Sequence, residues 1–473
     1  MAEWRTDNMS KETKRYPLTS AQKLHYYCLM YCPKKQVLNI GSGVMIQVEL
    51  KWDILEQCIK DAILRCEAMR VQFGQDENGN TYQYVVDDVR GVIRHFTFAH
   101  WKEEDAHNKM TEWTSTPFET YDTPMYEIVM IQMPDNFYGM YLKVNHLIMD
   151  AQSLIVFFKD VIEMYANKEF ENIPTPKPMA SYIKQLEKDL AYEAGNKSFQ
   201  KDREFFENLI TSSEPIFADI YGPGKLQAER ERNGNPNQRA AVNTSNNVDA
   251  NLANFQLEEE PSMRLMKFCE EHHVSMTCLL LMALRTYLQK ENGLDDISIS
   301  STIARRATLS EKRCGGTRVH SYPFRTIVPR EDTFLEGVFK IRDMQNMYFR
   351  HANYSPSEYY AFRRQYYNLQ PGQTYEPLAL TYQPLSMKYE GPGLDKLGDI
   401  QYRTRRYSNS ACAHTLYLTV SHQPSGGLDF CFEHQTGVVT YEKLREIYFY
   451  MCRILFRGIE DPTRTVGEII DWS

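Results

Sequence analysis

The sequence has no CxxC pair, although 10 of its 473 residues are cysteine. That absence removes the spacing of zinc ribbons and dithiol redox centres. The cysteines fall mostly inside apolar-periodic segments, as at Cys58, Cys278 and Cys452. They read as reduced, buried residues of a cytosolic protein and not as a disulfide framework. Cys28 and Cys32 stand one helical turn apart with no further ligands nearby, so core packing is the expectation and no metal site is assigned. Apolar runs of the ~20 residues needed for a membrane span are also missing. The opening "MAEWRTDNMSKETKRYPLTS" is polar and lacks the apolar segment of a secretory signal. A soluble, cytoplasmic chain with no membrane association is expected. An excess of positive charge is lacking too: net charge is -8, which gives nucleic-acid binding no electrostatic support. HExxH, P-loop, GxGxxG and GxSxG signatures are absent, so metalloprotease, nucleotide and serine-hydrolase chemistries have no foothold.

What is present is a globular composition, 42% apolar with 12% aromatic and 25% charged residues, long enough for two or three domain-sized units. Helical period marks 18–31, entered through Thr19 or Ser20, and 53–70, with Asp53 as N-cap. Strands are expected at 43–50, 91–98, 125–133 and 138–146, with a hairpin around "DENGN". A strong helix follows at 151–168. The Pro-rich "ENIPTPKPM" (171–179) separates this half from the next. The second half reads as a polar helix near 197–210, a long Asn-rich surface loop at 228–254, and helices at 261–272 and 275–291. Strands at 296–304 and 319–328, a helix at 333–348, strands at 413–421 and 427–434 and a helix at 440–457 complete it. Strands mixed with helices in two similar halves predict a two-lobed α+β protein with a cleft between the lobes.

The stretch "VNHLIMDAQSL" (144–154) places His146 at the end of a strand and Asp150 at the start of a helix. With 12 histidines, about 0.6 HxxxD matches are expected by chance, so the motif alone is weak. The bland reading is a core histidine and an N-cap aspartate. The functional reading is a neutral imidazole that takes a proton from, or aligns, an amine or alcohol attacking a thioester or ester carbonyl, without a covalent intermediate. His272 and His273 read as a solvated helix end and not as a ligand pair.

Four ordered segments then carry a resemblance. "LTSAQ" (18–22), "RCEAMRVQF" (65–73), "NHLIMDAQSL" (145–154) and "GGTRVHSYPFR" (315–325) resemble the (S/T)xAQ, RHExLRxxF, HHxxxDGxSL and later (I/V)GxFVNTxPxR elements of the condensation domains of nonribosomal peptide synthetases. These domains belong to the HHxxxDG acyltransferase superfamily. The resemblance spans essentially the whole chain. It implies two chloramphenicol-acetyltransferase-like lobes, 1–180 and 181–473, forming a V with a central tunnel. It implies His146 as the catalytic residue, Asp150 salt-bridged to Arg65, and Asn145 and Ala151 as structural replacements for the motif's first histidine and glycine. Ser153, His320 and Ser321 become candidate tunnel-lining residues, His320 being read first as a packed strand residue.

The implied function is transfer of an acyl group from the phosphopantetheine thioester of an acyl or peptidyl carrier protein to an amine, forming an amide in natural-product biosynthesis. No covalently bound cofactor is implied, and the acceptor is a small-molecule amine or a carrier-bound aminoacyl group. Lacking adenylation and carrier elements, the chain reads as a condensation enzyme, free-standing or excised at its borders, and as a monomer. Two other readings stay open: an acyl-CoA-dependent O- or N-acyltransferase, and a non-catalytic condensation-like module that binds carrier proteins.

Overall fold

The computed structural model describes residues 14–384 and 401–471. Most of the polar N-terminal stretch read above therefore lies outside the described residues. Two sheets organise the chain. The first has five strands in the order Tyr402–Tyr407, Asn39–Ile46, Tyr138–Asn145, Tyr126–Gln132 and Val92–Thr97. All neighbours are antiparallel except the last pair. The second has six, in the order His320–Ile327, Asp296–Ile303, Ala379–Gln383, Leu416–His422, Leu428–Gln435 and Ala250–Leu257. The first sheet buries apolar side chains on both faces, one in its main core and the other against the helix Glu103–Thr114, and the second sheet builds its own core. The strand Tyr402–Tyr407 lies far along the chain yet pairs with Asn39–Ile46 of the first sheet, tying the lobes together.

The helix Ser20–Tyr31 begins in a capping box: Thr19 accepts from the Gln22 backbone N–H, and Gln22 returns the bond. The helix expected from 53 runs Trp52–Arg65 and is entered at Lys51. Asp53 sits inside the first turn, where its charge favours the helix dipole, and is not the N-cap. A short 3-10 turn, Glu67–Arg70, ends that segment. The strand expected at 43–50 lies at Asn39–Ile46. Its glycines blur the alternation, and Gly41 is needed for packing: a Cβ there would stand 2.1 Å from Thr114 Oγ1.

The Asn-rich stretch 228–254 is not a long loop. It holds the end of the helix Gly224–Asn233, closed by Gly234 at φ 59°, and the start of the edge strand Ala250–Leu257. That strand pairs with Leu428–Gln435 over eight positions. Ala253, Phe255 and Leu257, on one face, pack on the core. A one-sided edge strand needs few large apolar residues, which is why its composition reads as loop.

Among the described residues, no helix is long and apolar enough to cross a membrane.

Candidate active site at the strand-to-helix corner

The strand Tyr138–Asn145 runs through the first core and stops at the corner that carries His146. Three contacts fix the corner. Asn145, 1% exposed, accepts the Leu147 N–H on its Oδ1 at 3.0 Å. The His146 N–H donates to Leu38 O at 2.8 Å. Gln22, fully buried, reaches Leu147 O at 3.4 Å and also donates to Gln83 Oε1. Asn145 thus closes the turn with its own amide.

Asp150 is the N-cap of the helix Ala151–Glu169 and accepts the Ser153 N–H at 2.9 Å. It is 0% exposed. Ala151 is the first helical residue and is not among the positive-φ positions, so its Cβ carries no left-handed strain. Burial alone would raise the Asp150 carboxyl. The Arg306 charge and the Ser153 bonds outweigh burial and hold it below the ordinary carboxylate range.

The partner of Asp150 is Arg306, not Arg65. Arg306 Nη2 lies 2.9 Å from both Asp150 oxygens, and the Arg318 backbone N–H completes the carboxylate at 3.0 Å. Arg65 instead donates to Asp160 Oδ1 at 2.8 Å and to the carbonyls of Pro176 and Lys177. Helix rise gives the reason. Asp160 lies ten residues beyond Asp150, about 15 Å along the axis. The end of the Trp52–Arg65 helix packs at the level of Asp160, leaving Asp150 to an arginine of the other lobe.

Ser153 also belongs to this knot and not to a tunnel wall. It is 1% exposed, with its Oγ 2.8 Å from Asp150 Oδ1, 2.6 Å from Gly316 O and 2.8 Å from Arg306 Nη2. Gly316 adopts φ 103°, and a Cβ would stand 2.6 Å from the Tyr182 ring, so only glycine fits.

His320 is fully buried. Arg305 Nη1 donates to its Nε2 at 3.0 Å, so Nδ1 carries the hydrogen and donates to Ala352 O at 2.9 Å. A neutral imidazole with both nitrogens engaged is a packing residue and does not line a tunnel. Ser321, on the opposite face of that strand, is half-buried and bonds Thr302 Oγ1 at 3.0 Å, which in turn meets Tyr417.

His146 itself is half-buried. Its Nδ1 faces Thr317 Oγ1, from the second half of the chain, at 3.4 Å. Among the described residues no hydrogen bond occupies Nε2. His25 stacks on the ring at 4.1 Å between centroids, tilted 27°. The motif reading missed both neighbours. Burial pulls the His146 pKa down; Asp150 opposes this and Arg406 adds to it, leaving the imidazole below its usual value. Asp150 acts through position and charge and makes no hydrogen bond to the ring.

His25 and His320 are pushed well below 6.5, again first by burial. The folded state therefore binds fewer protons than the unfolded chain, and stability falls as pH drops through about 6.5. Thermal melts between pH 7.5 and 5.5 are expected to show a Tm that declines with acidification; a Tm that rises would contradict the buried neutral imidazoles.

A separate cavity of about 280 Å³ in the second lobe is lined by Arg325, Lys340 and Arg363 among others. Its three cations already pair with Asp296, Asp332 and Glu376.

Comparison with known proteins agrees with this fold. The condensation-domain family model matches residues 12–470. A plipastatin synthase polypeptide of Bacillus subtilis (strain 168) is 22% identical over 98% of this chain, which spans 17% of that relative. Surfactin synthase subunit 1 of the same organism is 23% identical over 96% of this chain, which spans 12% of it. Among solved structures, a variant of the starter condensation domain of rhizomide synthetase in complex with C8-CoA aligns with TM-score 0.79 at 16% identity, covering 96% of this chain and 97% of that one. The first condensation domain of the calcium-dependent antibiotic synthetase, in complex with a substrate analogue, aligns with TM-score 0.76 at 18% identity, covering 96% and 98%. The two-lobed α+β fold, the ordered motifs and the family match together place this chain in the condensation-domain family of nonribosomal peptide synthetases.

Proposed function

We propose that this condensation domain forms an amide: it moves an acyl group from a phosphopantetheine thioester on a carrier protein to an amine, with His146 as the catalytic residue. The observation that carries this reading is His146 at the end of its strand, with Nδ1 turned to Thr317 and no hydrogen bond on Nε2 among the described residues. A neutral imidazole held there accepts the proton of the attacking nitrogen, or aligns it, as it adds to the thioester carbon. General-base help of this kind is worth about 10²–10⁴-fold. The proton passes on to the departing thiolate. Asp150 is cast as a structural residue, since its oxygens are occupied by Arg306, Ser153 and Arg318.

The test is a mass-spectrometric transfer assay. Acyl groups are offered as carrier-protein thioesters and as CoA thioesters, with a panel of amines. Amide product from carrier thioesters is the expected result. Because the His146 pKa is lowered, the acid limb of the rate is expected below pH 6.5; a limb above it would contradict a buried neutral base. The rhizomide synthetase complex with C8-CoA supports one second reading, an acyl-CoA donor. Transfer from CoA alone would establish it. Carrier binding without transfer across the panel would leave a binding module.

A further inference from the structure

The helix Ser20–Tyr31 presents two side chains to the corner that carries His146. Gln22 and His25 stand at i and i+3, so they share a face. Gln22 holds the corner's backbone, reaching Leu147 O at 3.4 Å. His25 lies on the imidazole itself: its ring stacks on that of His146, with centroids 4.1 Å apart and planes tilted by 27°. The start of the helix is fixed from outside. The Ser20 N–H donates to Glu193 Oε1 at 2.7 Å, and Ser20 Oγ donates to His320 Nε2 at 2.9 Å. The His146 ring is thus held by two parts of the chain, with Thr317 at its Nδ1 edge and His25 on its face.

The contribution of His25 lies in the face of its ring. No hydrogen bond among the described residues engages its nitrogens, and Nε2 is buried without a partner. An orphaned nitrogen is a cost in a residue that only packs, and a leucine would fill the space without one. A leucine would lack the flat, electron-rich face.

We propose that His25 is a positioning residue for the transfer reaction: its ring fixes the plane of the His146 ring, and its face receives the positive charge that His146 gains on taking the amine proton. His25 exchanges no proton. The proton goes from the attacking nitrogen to His146 Nε2 and on to the departing thiolate. The imidazolium exists between these two transfers, and a ring face at stacking distance attracts a cation. That charge is absent while substrate merely sits bound, so the stack acts on kcat and not on KM. Two charged groups also bear on His146: Asp150, on the helix that follows it, and Arg406 of the strand Tyr402–Tyr407, which act in opposite senses. His320, on the far side of the helix start, is buried and neutral. A change at His25 leaves all three in place. The inference rests on the acyl-transfer reading for its effect on rate, but its first test needs no turnover.

The His146 imidazole would be titrated by NMR on the full chain, labelled at the histidine ring carbons, in wild type, His25→Leu and His25→Phe. Its resonance is identified by its loss in His146→Ala. In His25→Leu the His146 pKa is expected to fall by about 0.5–1.5, the roughly 3- to 30-fold change in protonation that a cation on a ring face is worth. In His25→Phe it should stay within about 0.3 of wild type, because a phenyl face replaces the imidazole face. Turnover should follow: kcat lower by about 3- to 30-fold with KM unchanged in the leucine variant, and restored to within about threefold of wild type by phenylalanine. An unmoved His146 pKa in His25→Leu, or a rise in KM in place of the fall in kcat, would overturn the inference. So would a lowered pKa in His25→Phe, a readout that stands even if the leucine variant does not fold. The expected titrations in a protein that transfers nothing would sink only the acyl-transfer reading. Full kcat in His25→Leu, in a protein that does transfer, would sink only this one.

Discussion

His146→Ala is expected to lower kcat for amide formation by about 10²–10⁴-fold while leaving the Tm close to that of the wild type. The magnitude follows from what the side chain can do. It is neutral at pH 7, with one nitrogen turned to Thr317 and the other making no hydrogen bond among the described residues. The structural consequence should be small because the corner is held by other groups. Asn145 Oδ1, the Leu38 carbonyl and Gln22 all bind backbone atoms of residues 146 and 147. Loss of the ring removes the stack with His25, whose Nε2 is already buried without a partner. His146→Gln keeps a polar side chain but no base near neutrality, so it should be as inactive as the alanine variant. A fall in kcat with KM little changed would mark an interaction made only in the transition state. A rise in KM alone would make His146 a binding residue.

The second large effect is on stability. Arg306→Met strands a fully buried carboxylate, and breaking such a pair from one side costs about 3–5 kcal/mol. Asp150→Asn is the complementary variant. Its amide oxygen can still accept the Ser153 N–H and cap the helix, but it leaves the Arg306 charge uncompensated. Both single variants should unfold at lower temperature and lower denaturant concentration. The double variant Asp150→Asn/Arg306→Met removes both charges and should recover part of the loss. Arg65→Met should cost less: Arg65 keeps 28% of its side-chain surface accessible, and its partner is Asp160. If Arg65→Met were the more damaging change, the assignment of the buried pair would be wrong. Activity should follow stability in these variants, since Asp150 is fully buried with both oxygens engaged.

These contrasts also show what a sequence can carry. The corner itself was legible. Alternation gives way to helical period between Asn145 and Ala151, and both His146 and the Asp150 cap fall out of that change. The hairpin at 71–85 was legible for the same kind of reason, because "DENGN" supplies a tight turn between alternating runs. The partner of Asp150 was not. Arg306 lies 156 positions away in "STIARRATLS", a stretch with no period, and only the packing of the two lobes brings it to the helix N-terminus. Motif logic pointed to Arg65, which meets the right helix at the wrong turn. Ser153 was misplaced for a related reason, as was the tunnel-lining alternative for His320, whose first reading as a packed strand residue holds. Polar residues near a motif look available, but here each has its donors and acceptors spent on Arg306, Arg305 and backbone carbonyls. The strand Tyr402–Tyr407 was invisible too. "YRTRRY" has three arginines in six residues and no run of apolar residues to mark a strand. It is a strand because Asn39–Ile46 offers it an edge, and its arginines lie along the lobe junction or in solvent.

In the proposed reaction His146 performs acyl transfer between the lobes. Its most direct test is a single-turnover experiment with wild type and His146→Ala, a preloaded acyl-carrier thioester and saturating amine, followed by intact-mass spectrometry of the carrier. The expected result is loss of the acyl mass from the carrier with matching amide product in the wild type, slowed at least about 100-fold in the variant. Equal rates of product formation in the two proteins would contradict it.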